Sequence, residues 1–340
     1  MLAIHHRSGS FSDKWIEYCI LNKVPYKLVD CYRSDIVEQI KNCDGLMWHW
    51  AHYDHKAVLF ARQLIYSLEK MGKKVFPNAH TSWHYDDKVG QKYLLEAVAA
   101  PLVPSYVFYD KREALDWAKK TTYPKVFKLR GGAGSQNVQI VLNLLAANKL
   151  INKAFGGGFN AFNRRYFLTE RLGQFRRDKT VTSFFNIGKG LGRLFIPTKQ
   201  EKYFSRERNY IYFQEFIPEN NFDIRINVIG NRAFGFKRMV RQGDFRASGS
   251  GKLIHDPNQI PIDCLQIALD LSVRIQSQSI AFDFVFNSGK PLLVEVSYCF
   301  PPRFYLLCPG YWNERLEWIG GPFTPEYFII KDFLMQSDTI

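Results

Sequence analysis

The sequence predicts an α/β (α+β) protein with a doubly wound parallel sheet near its N-terminus and an antiparallel sheet near its C-terminus. Short apolar runs alternate with amphipathic stretches through residues 1–80, a pattern typical of parallel strands joined by helices. From residue 210 onward, strand-like runs follow one another directly. The length of 340 residues predicts two or three domains. A content of 46% hydrophobic and 23% charged residues excludes a disordered or collagen-like chain.

The first 80 residues predict four strands and three helices. Ser10 or Ser12 is the expected cap of the first helix, and Gly72 closes the longest one. No G-x-G-x-x-G turn is present, so the usual dinucleotide site is not indicated. The predicted strands are 2–5, 26–29, 45–48 and 74–76, and the predicted helices are 12–21, 35–41 and 55–71.

The rest of the chain first continues the mixed pattern and then changes. Helices are expected over 84–96 and 112–121, with strands at 105–109, 125–129 and 138–141. Residues 298–325 are rich in Pro, Gly and aromatic residues and predict an irregular cap. The predicted antiparallel strands are 211–216, 222–229, 232–240, 281–286 and 292–296, with a helix over 262–277.

The net charge of +14 is concentrated in one segment. Residues 153–208 contain 13 basic and 4 acidic side chains, which indicates an anionic partner or a solvated basic face. The interleaved aromatic residues would suit nucleic acid. No nucleic-acid motif accompanies them, so an acidic or phosphorylated small substrate is the favoured partner.

The sequence favours a cytoplasmic protein without a membrane segment. No apolar run reaches the roughly 18–20 residues of a membrane helix, and the first residues lack the layout of a signal peptide. The six cysteines are scattered and are interpreted as reduced thiols. A metal or disulfide pair of Cys299 and Cys308 stays open as the alternative.

The strongest local motif is a strand that ends in Lys128 and turns through a glycine-rich loop at residues 131–135. Glycines let backbone N–H groups approach anionic oxygens closely, and a lysine adds a point charge. The motif is not the G-x-x-x-x-G-K-[ST] loop, because its lysine precedes the glycines. It predicts phosphate binding; a surface hairpin with a solvated lysine is the alternative.

A second motif places Asp283 in one strand and Glu295 and Ser297 in its hairpin partner. Glu295 and Ser297 are two residues apart and therefore share one face of their strand. Two carboxylates and a hydroxyl suit Mg²⁺, which prefers oxygen ligands and bridges phosphates. A solvated strand face is the alternative. The neighbours expected in the core are Phe282, Phe284, Val294 and Val296.

Two further segments carry weaker signals. Arg238 and Arg246 lie around a Gly-Asp-Phe turn, and arginines there suit carboxylate or phosphoryl oxygens. The strand ending in Glu215 and the residues after it, up to Asp223, could hold an adenine ring and a ribose hydroxyl. An exposed basic hairpin and an ordinary strand and turn are the respective alternatives.

In this order, the motifs resemble the ATP-grasp superfamily, and most closely the branch of the ribosomal-protein glutamate ligase and glutathione synthetase. The resemblance covers about residues 77–300, and its specific parts are the segment 243–246 and the hairpin of Asp283 and Glu295. It implies an ATP-grasp fold with an N-terminal doubly wound parallel-sheet domain (1–80), a small lid (81–152) and a C-terminal antiparallel-sheet catalytic domain with an aromatic cap (209–340). The basic stretch 153–208 is then an insertion.

The resemblance implies ATP and Mg²⁺ as cofactors and assigns roles residue by residue. The implied metal ligands are Asp283, Glu295 and Ser297. The residues implied to grip the carboxylate substrate and its acyl phosphate are Arg246, Arg238 and Arg225. The implied ATP contacts are Lys88, Lys128, Gly132, Gly134, Ser135, Glu215, Ile217 and Asp223, with Glu215 and Ile217 binding adenine partly through their backbone.

The implied reaction is a carboxylate–amine ligation. ATP phosphorylates a carboxylate, and an amine then displaces phosphate to form an amide. The implied partners are small carboxylate and amine substrates, with an anionic carrier suggested by the basic segment. Dimers and tetramers are common where this fold occurs. Two departures stand out: Ser297 replaces the family's usual Asn, and the basic segment is longer than the family needs.

Two other functions remain open on the sequence alone. A non-catalytic ATP-binding protein of the same fold would bind nucleotide without turnover. A polyanion-binding protein would use residues 153–208, and its binding would depend steeply on salt.

Overall fold

The computed structural model describes residues 1–132, 137–160, 188, 205–240, 245–247 and 251–335. The chain forms two compact units. The first contains Met1–Tyr85, Gly90–Leu102 and Ile217–Ile340, and the second contains Asp86–Val89 and Val103–Phe216. The predicted range 1–80 lies within the first unit. The boundaries 1–80, 81–152, 153–208 and 209–340 stay a prediction, and most of the basic insertion lies outside the described residues.

The N-terminal part of the first unit is the predicted parallel sheet. Its strand order is β2-β1-β3-β4, and every pair is parallel. Ser10 caps the first helix by accepting from the Ser12 amide, and Asp54 caps the third in the same way. The strands are β1 (Leu2–His5), β2 (Tyr26–Val29), β3 (Gly45–Met47) and β4 (Lys74–Phe76); the helices are α1 (Phe11–Leu21), α2 (Ile36–Ile40) and α3 (His55–Lys70).

Two helices follow this sheet: the short α4 (Ala79–Ser82) and α5 (Lys88–Ala97). The second unit is built on a four-stranded antiparallel sheet of order β5-β8-β6-β7. Its apolar side packs with two helices in one core cluster. The elements are β5 (Ser105–Phe108), α6 (Lys111–Lys120), β6 (Lys125–Lys128), β7 (Gln139–Val141), α7 (Leu144–Ala154) and β8 (Ile211–Glu215).

A seven-stranded antiparallel sheet forms the rest of the first unit. Its order is β13-β12-β9-β10-β14-β15, and β11 pairs with β10. The strands are β9 (Phe222–Ile229), β10 (Arg232–Met239), β11 (Leu253–Ile254), β12 (Ser279–Asn287), β13 (Lys290–Ser297), β14 (Gly310–Trp312) and β15 (Trp318–Gly320); the helices are α8 (Ile262–Ile275) and α9 (Pro325–Met335).

The two faces of this sheet differ in what covers them. One face packs with α5 and α8 in a core that contains Ile224, Ile226 and Phe282. On the other face, Phe234 and Phe236 pack against aromatic residues of the C-terminal cap and of the N-terminal part of the chain. Strand alternation places Asp223, Arg225 and Asp283 on this same face. Buried charges therefore lie beside an aromatic core.

Three expectations need correction. Residues 298–325 are not wholly irregular, because they supply β14 and β15. Helices α4, α7 and α9 were not expected. Val294 is outside the core, because a bulge after Asp283 pairs Phe284 with Leu293, which is buried in its place.

The prediction of reduced cysteines is confirmed, because all six are free thiols, so Cys299 and Cys308 form no disulfide. Within the described residues, no helix is long and apolar enough to span a membrane.

Candidate functional site

Lys128 lies at the end of β6 and is buried. Its Nζ donates to Oε1 of Gln214 at 2.7 Å, and Nε2 of Gln214 donates to Oγ of Ser105 at 3.0 Å. Tyr212 also donates to this Oγ, at 2.9 Å. Because Gln214 is neutral, its contact positions the ammonium group without cancelling the charge.

The start of the glycine-rich loop is fixed by two neighbouring side chains. The carboxylate of Asp86 accepts from the Gly132 amide at 2.9 and 3.1 Å, and Nζ of Lys88 donates to the Gly132 carbonyl at 2.9 Å. Gly132 has a φ of +107°, which favours glycine at this position. The structure thus brings Lys88 to the predicted loop, whereas the predicted contacts Gly134 and Ser135 lie outside the described residues.

Glu215 ends β8 opposite Lys125 on β6. Nζ of Lys125 donates to both carboxylate oxygens of Glu215, at 2.5 and 2.7 Å, and Tyr106 donates to one of them at 3.0 Å. The Glu215 side chain is therefore committed to an ion pair. Its backbone N–H also has a partner, because it donates to the Pro104 carbonyl at 2.9 Å, so the adenine contact of Glu215 stays a prediction. Ile217 is half-buried.

The first unit holds a network of two arginines and two aspartates. Arg225 donates to Asp283 through Nε and Nη2 at 2.6 and 2.7 Å, and Arg238 donates to Asp223 at 2.6 Å through the same two atoms. Arg238 also lies 3.0 Å from Asp283. Strand register explains the pairs, since Asp283 faces Arg225 and Asp223 faces Arg238. The predicted ribose contact of Asp223 would compete with this pairing.

The two carboxyl groups of the network differ in pKa. Burial alone would raise the pKa of Asp283, but the guanidinium groups of Arg225 and Arg238 outweigh it and hold that pKa well below its ordinary value. Burial raises the pKa of Asp223, and the guanidinium group of Arg238 offsets this rise only in part. Asp283 is therefore the more firmly ionised of the two.

The predicted metal ligands lie along one hairpin. Asp283 and Glu295 are direct cross-strand partners, as are Ala281 and Ser297. The Ser297 hydroxyl donates to the Cys299 carbonyl at 3.0 Å, which leaves its oxygen lone pairs for another partner. Among the described side chains, no group of three or more His, Cys, Asp or Glu is placed to hold a metal. Carboxylates and a hydroxyl are ligand types that suit Mg²⁺. Both oxygens of Asp283 already accept from guanidinium groups, so a bound Mg²⁺ would share this carboxylate with Arg225 and Arg238.

Arg246 is half-buried within the short described stretch 245–247, with its guanidinium carbon 5.8 Å from the centre of the Phe245 ring. The sheet brings Arg225 and Arg238 together at Asp283, while their role in holding a substrate stays a prediction. The segment between Arg238 and Arg246 includes residues 241–244, which are not described, so the approach of Arg246 to the other two stays a prediction.

The sequence analysis did not identify four polar residues that the structure places near the predicted site residues: Asp86, Lys125, Asn227 and Tyr305. Asp86 contacts Gly132, and Lys125 pairs with Glu215. A single lysine within a strand gave no separate signal in the sequence. Asn227 follows Arg225 by two on the same face of β9, and only 1% of it is exposed. Neither polar atom of its side chain has a hydrogen-bond partner among the described residues, and the same holds for the buried Tyr305 hydroxyl.

Comparison with known proteins supports the resemblance. Residues 187–299 match the family model of the RimK-like ATP-grasp domain. No curated protein matches the chain.

Solved structures match nearly the whole chain. A RimK-domain ATP-grasp protein from Sphaerobacter thermophilus is 16% identical, with a TM-score of 0.54 over 98% of this chain and 99% of that one. D-alanine–D-alanine ligase from Bacillus anthracis is 14% identical, with a TM-score of 0.53 over 98% and 96%. N5-carboxyaminoimidazole ribonucleotide synthetase from Thermotoga maritima is 14% identical, with a TM-score of 0.51 over 89% and 70%. The chain therefore has the ATP-grasp fold, and its residues 187–299 are similar to the RimK-like ATP-grasp domain.

Proposed function

We propose that the protein is an ATP-dependent carboxylate–amine ligase that forms an amide through an acyl phosphate. The observation that carries this proposal is the row of Asp283 and Glu295 across one hairpin, with Arg225 and Arg238 beside it. Carboxylates to hold a cation and guanidinium groups to hold anionic oxygens are the groups that phosphoryl transfer to a carboxylate needs. The similar ligases named above share the fold.

The nucleotide would be held by residues of the second unit. Lys88 and Lys128 would contact its phosphates, and the backbone of the glycine-rich loop would cover them. The Glu215 backbone would meet the adenine edge. Asp283 and Glu295 would hold Mg²⁺, which when bound neutralises charge on the phosphates.

Arg225, Arg238 and Arg246 would orient the carboxylate and stabilise the charge on the phosphoryl group as it transfers. No side-chain nucleophile is required, because alignment and charge neutralisation supply most of the rate enhancement. In the second step the amine nitrogen attacks the carbonyl carbon, and the C–O bond to phosphate breaks. The carboxylate and amine substrates are not identified. A cytoplasmic location and a homo-oligomeric state are further predictions.

The first test is a thermal-shift titration with ATP, with and without Mg²⁺. A ligand that binds only the folded chain stabilises it by about 2.7 kcal/mol at a hundredfold excess over its Kd. We expect a Mg²⁺-dependent shift in the wild type that Lys128→Met abolishes. The matched control is Lys119→Met at an exposed lysine of α6, which should retain the shift. Equal shifts in both variants would contradict the assigned nucleotide site.

A second test separates ligation from nucleotide binding alone. Carboxylates are screened for ADP release with hydroxylamine present, which traps an acyl phosphate as a hydroxamate. Glu295→Gln should abolish hydroxamate formation, and it avoids breaking the ion pairs of Asp283. Nucleotide binding without hydroxamate from any carboxylate would favour the non-catalytic alternative.

A further inference from the structure

Asn227 and Tyr305 are two buried polar residues on the arginine-bearing face of the large sheet that the proposed function leaves unused. Asn227 is 1% exposed and Tyr305 is 2% exposed. The Oδ1 and Nδ2 atoms of Asn227 and the hydroxyl of Tyr305 have no hydrogen-bond partner among the described residues. Buried polar groups are nearly always paired in native structures, so three orphaned atoms in one region point to a missing partner.

Register and ring packing place these atoms on one face of the sheet. Asn227 on β9 faces Phe234 on β10, and Arg225 faces Phe236. The Tyr305 ring packs against both phenylalanines, with centroid separations of 5.0 and 5.1 Å. Tyr305 therefore covers the part of the sheet where Asn227 and Arg225 lie side by side.

The charges around Tyr305 support the same placement. Its phenol interacts electrostatically with Arg225, Arg238 and Asp283. Burial raises the pKa of Tyr305 well above its ordinary value, with the arginines opposing, so the phenol stays a hydrogen-bond donor. The phenol thus adds a hydrogen-bond donor near the Arg225–Asp283 ion pair, where it would suit an anionic oxygen of a ligand.

We propose that Asn227 and Tyr305 form, beside Arg225, a subsite for a carboxylate that carries a neighbouring hydroxyl or amino group. The Tyr305 hydroxyl and Nδ2 of Asn227 would donate to the carboxylate oxygens, and Oδ1 of Asn227 would accept from the neighbouring hydroxyl or amino group. The proposal rests on the proposed ligase function, because Arg225 belongs to the group of arginines that would orient the carboxylate substrate. Since Asn227 and Tyr305 are both buried, binding would require the segment that carries Tyr305 to move.

The structural test compares melting of the ligand-free protein. Tyr305→Phe and Asn227→Leu remove the orphaned atoms and keep a similar volume, so both variants should melt at or above the wild type. The matched control is Tyr298→Phe, because the buried Tyr298 hydroxyl donates to the Trp50 carbonyl and its loss should lower melting. If Tyr305→Phe lowers melting as Tyr298→Phe does, its hydroxyl has a structural partner and the proposal is wrong.

The binding test titrates L-lactate, L-alanine and propionate into the wild type and both variants, with and without the non-hydrolysable analogue AMP-PNP and Mg²⁺. Lactate and alanine should bind the wild type at least about tenfold more tightly than propionate, which lacks the neighbouring donor. Tyr305→Phe and Asn227→Leu should abolish that preference. No binding of any probe, or a preference that survives in the variants, would overturn the subsite.

The measurements with AMP-PNP distinguish failure of the subsite from failure of the proposed ligase function. The nucleotide should shift the melting of the wild type, Tyr305→Phe and Asn227→Leu alike, because these residues are not among the predicted nucleotide contacts. If AMP-PNP binds nowhere, the ligase function fails while the probe titrations still decide the subsite. If AMP-PNP binds and the probes do not, only the subsite fails.

Discussion

Single buried polar groups carry the largest energetic consequences in this protein. Each orphaned atom of Asn227 and Tyr305 costs roughly 1–3 kcal/mol when no partner is present. Such costs are tolerated where a ligand later supplies the partner. The paired residues nearby show the opposite arrangement, because Asp223 and Asp283 are satisfied by guanidinium groups within the same sheet.

Lys125 allows a direct test of one buried charge. Its side chain is 2% exposed and its ammonium group is paired with Glu215, so Lys125→Met leaves a half-buried carboxylate without its cation. We expect a loss of about 3 kcal/mol in the free energy of unfolding, measured with urea. Lys119→Met, which breaks an exposed pair with Asp116, should cost less than about 1 kcal/mol. Similar losses in the two variants would show that the buried Lys125–Glu215 pair contributes no more to stability than the exposed Lys119–Asp116 pair.

At the scale of elements, the central strands β9 and β10 determine where the arginines lie. Gly235 on β10 lies so close to β9 that a Cβ atom would fall 2.2 Å from the Arg225 carbonyl oxygen. This backbone contact keeps the two strands at their spacing. It also links the packing of β10 to the position of Arg225.

Gly235→Ala should therefore separate β9 from β10 and destabilise the chain by roughly 2 kcal/mol or more, as overpacking does. The same strain would displace Arg225 from Asp283. Gly157→Ala is the matched control, because a Cβ atom there would meet nothing within 4 Å. Urea unfolding of both variants measures the difference, and a wild-type midpoint for Gly235→Ala would be inconsistent with the close approach.

The elements also show what the sequence could and could not predict. Strands β1, β2, β4 and β9 were predicted to the residue because apolar runs and turn residues mark both ends. Helix α7 was not predicted, although its sequence carries an apolar face that the structure buries through Ala147, Leu150 and Ile151. The pairing of β14 with β15 depends on contacts distant in sequence, which local patterns do not encode.

The candidate site was predictable where it depends on strand alternation. The pairing of Asp283 with Glu295 follows from a hairpin with a recognisable turn. The pairing of Arg225 with Asp283 required knowledge that β12 lies beside β9, and the sequence alone does not supply the order of strands. Asn227 continues the alternation of Asp223 and Arg225 along β9, so the sequence did place it on the polar face. That Tyr305 covers this face depends on contacts distant in sequence, which the sequence pattern does not show.

Across the whole first unit, aromatic residues join the parallel sheet to the antiparallel one. Tyr298, just beyond β13, donates to the Trp50 carbonyl beyond β3 and packs edge-on against Tyr85 at 4.5 Å. Phe300 packs against Phe11 of α1 and Phe234 of β10. Loosening either sheet should therefore affect the other, so global unfolding of this unit reports on both.

The stability of this unit depends on pH, because burial lowers the pKa of three histidines, His5, His49 and His84, with large shifts for the last two. Burial, together with Arg7, lowers the pKa of His49 to about 3, and burial with Arg62 lowers the pKa of His84 to about 4. In the unfolded chain a histidine titrates near about 6.5. As pH falls below that value, the unfolded chain binds protons that the folded chain does not, so the free energy of unfolding falls.

At pH 5, His49 and His84 should each lower the free energy of unfolding by about 2 kcal/mol relative to pH 7.5. His84→Met, of similar volume, removes one of the two groups, so its loss between these pH values should be about 2 kcal/mol smaller than that of the wild type. Urea unfolding at both pH values measures this difference. The control His80→Met, at an exposed histidine, should keep the wild-type loss. Equal losses in His84→Met and the wild type would mean that His84 protonates without unfolding, and that the packing around it admits a charge.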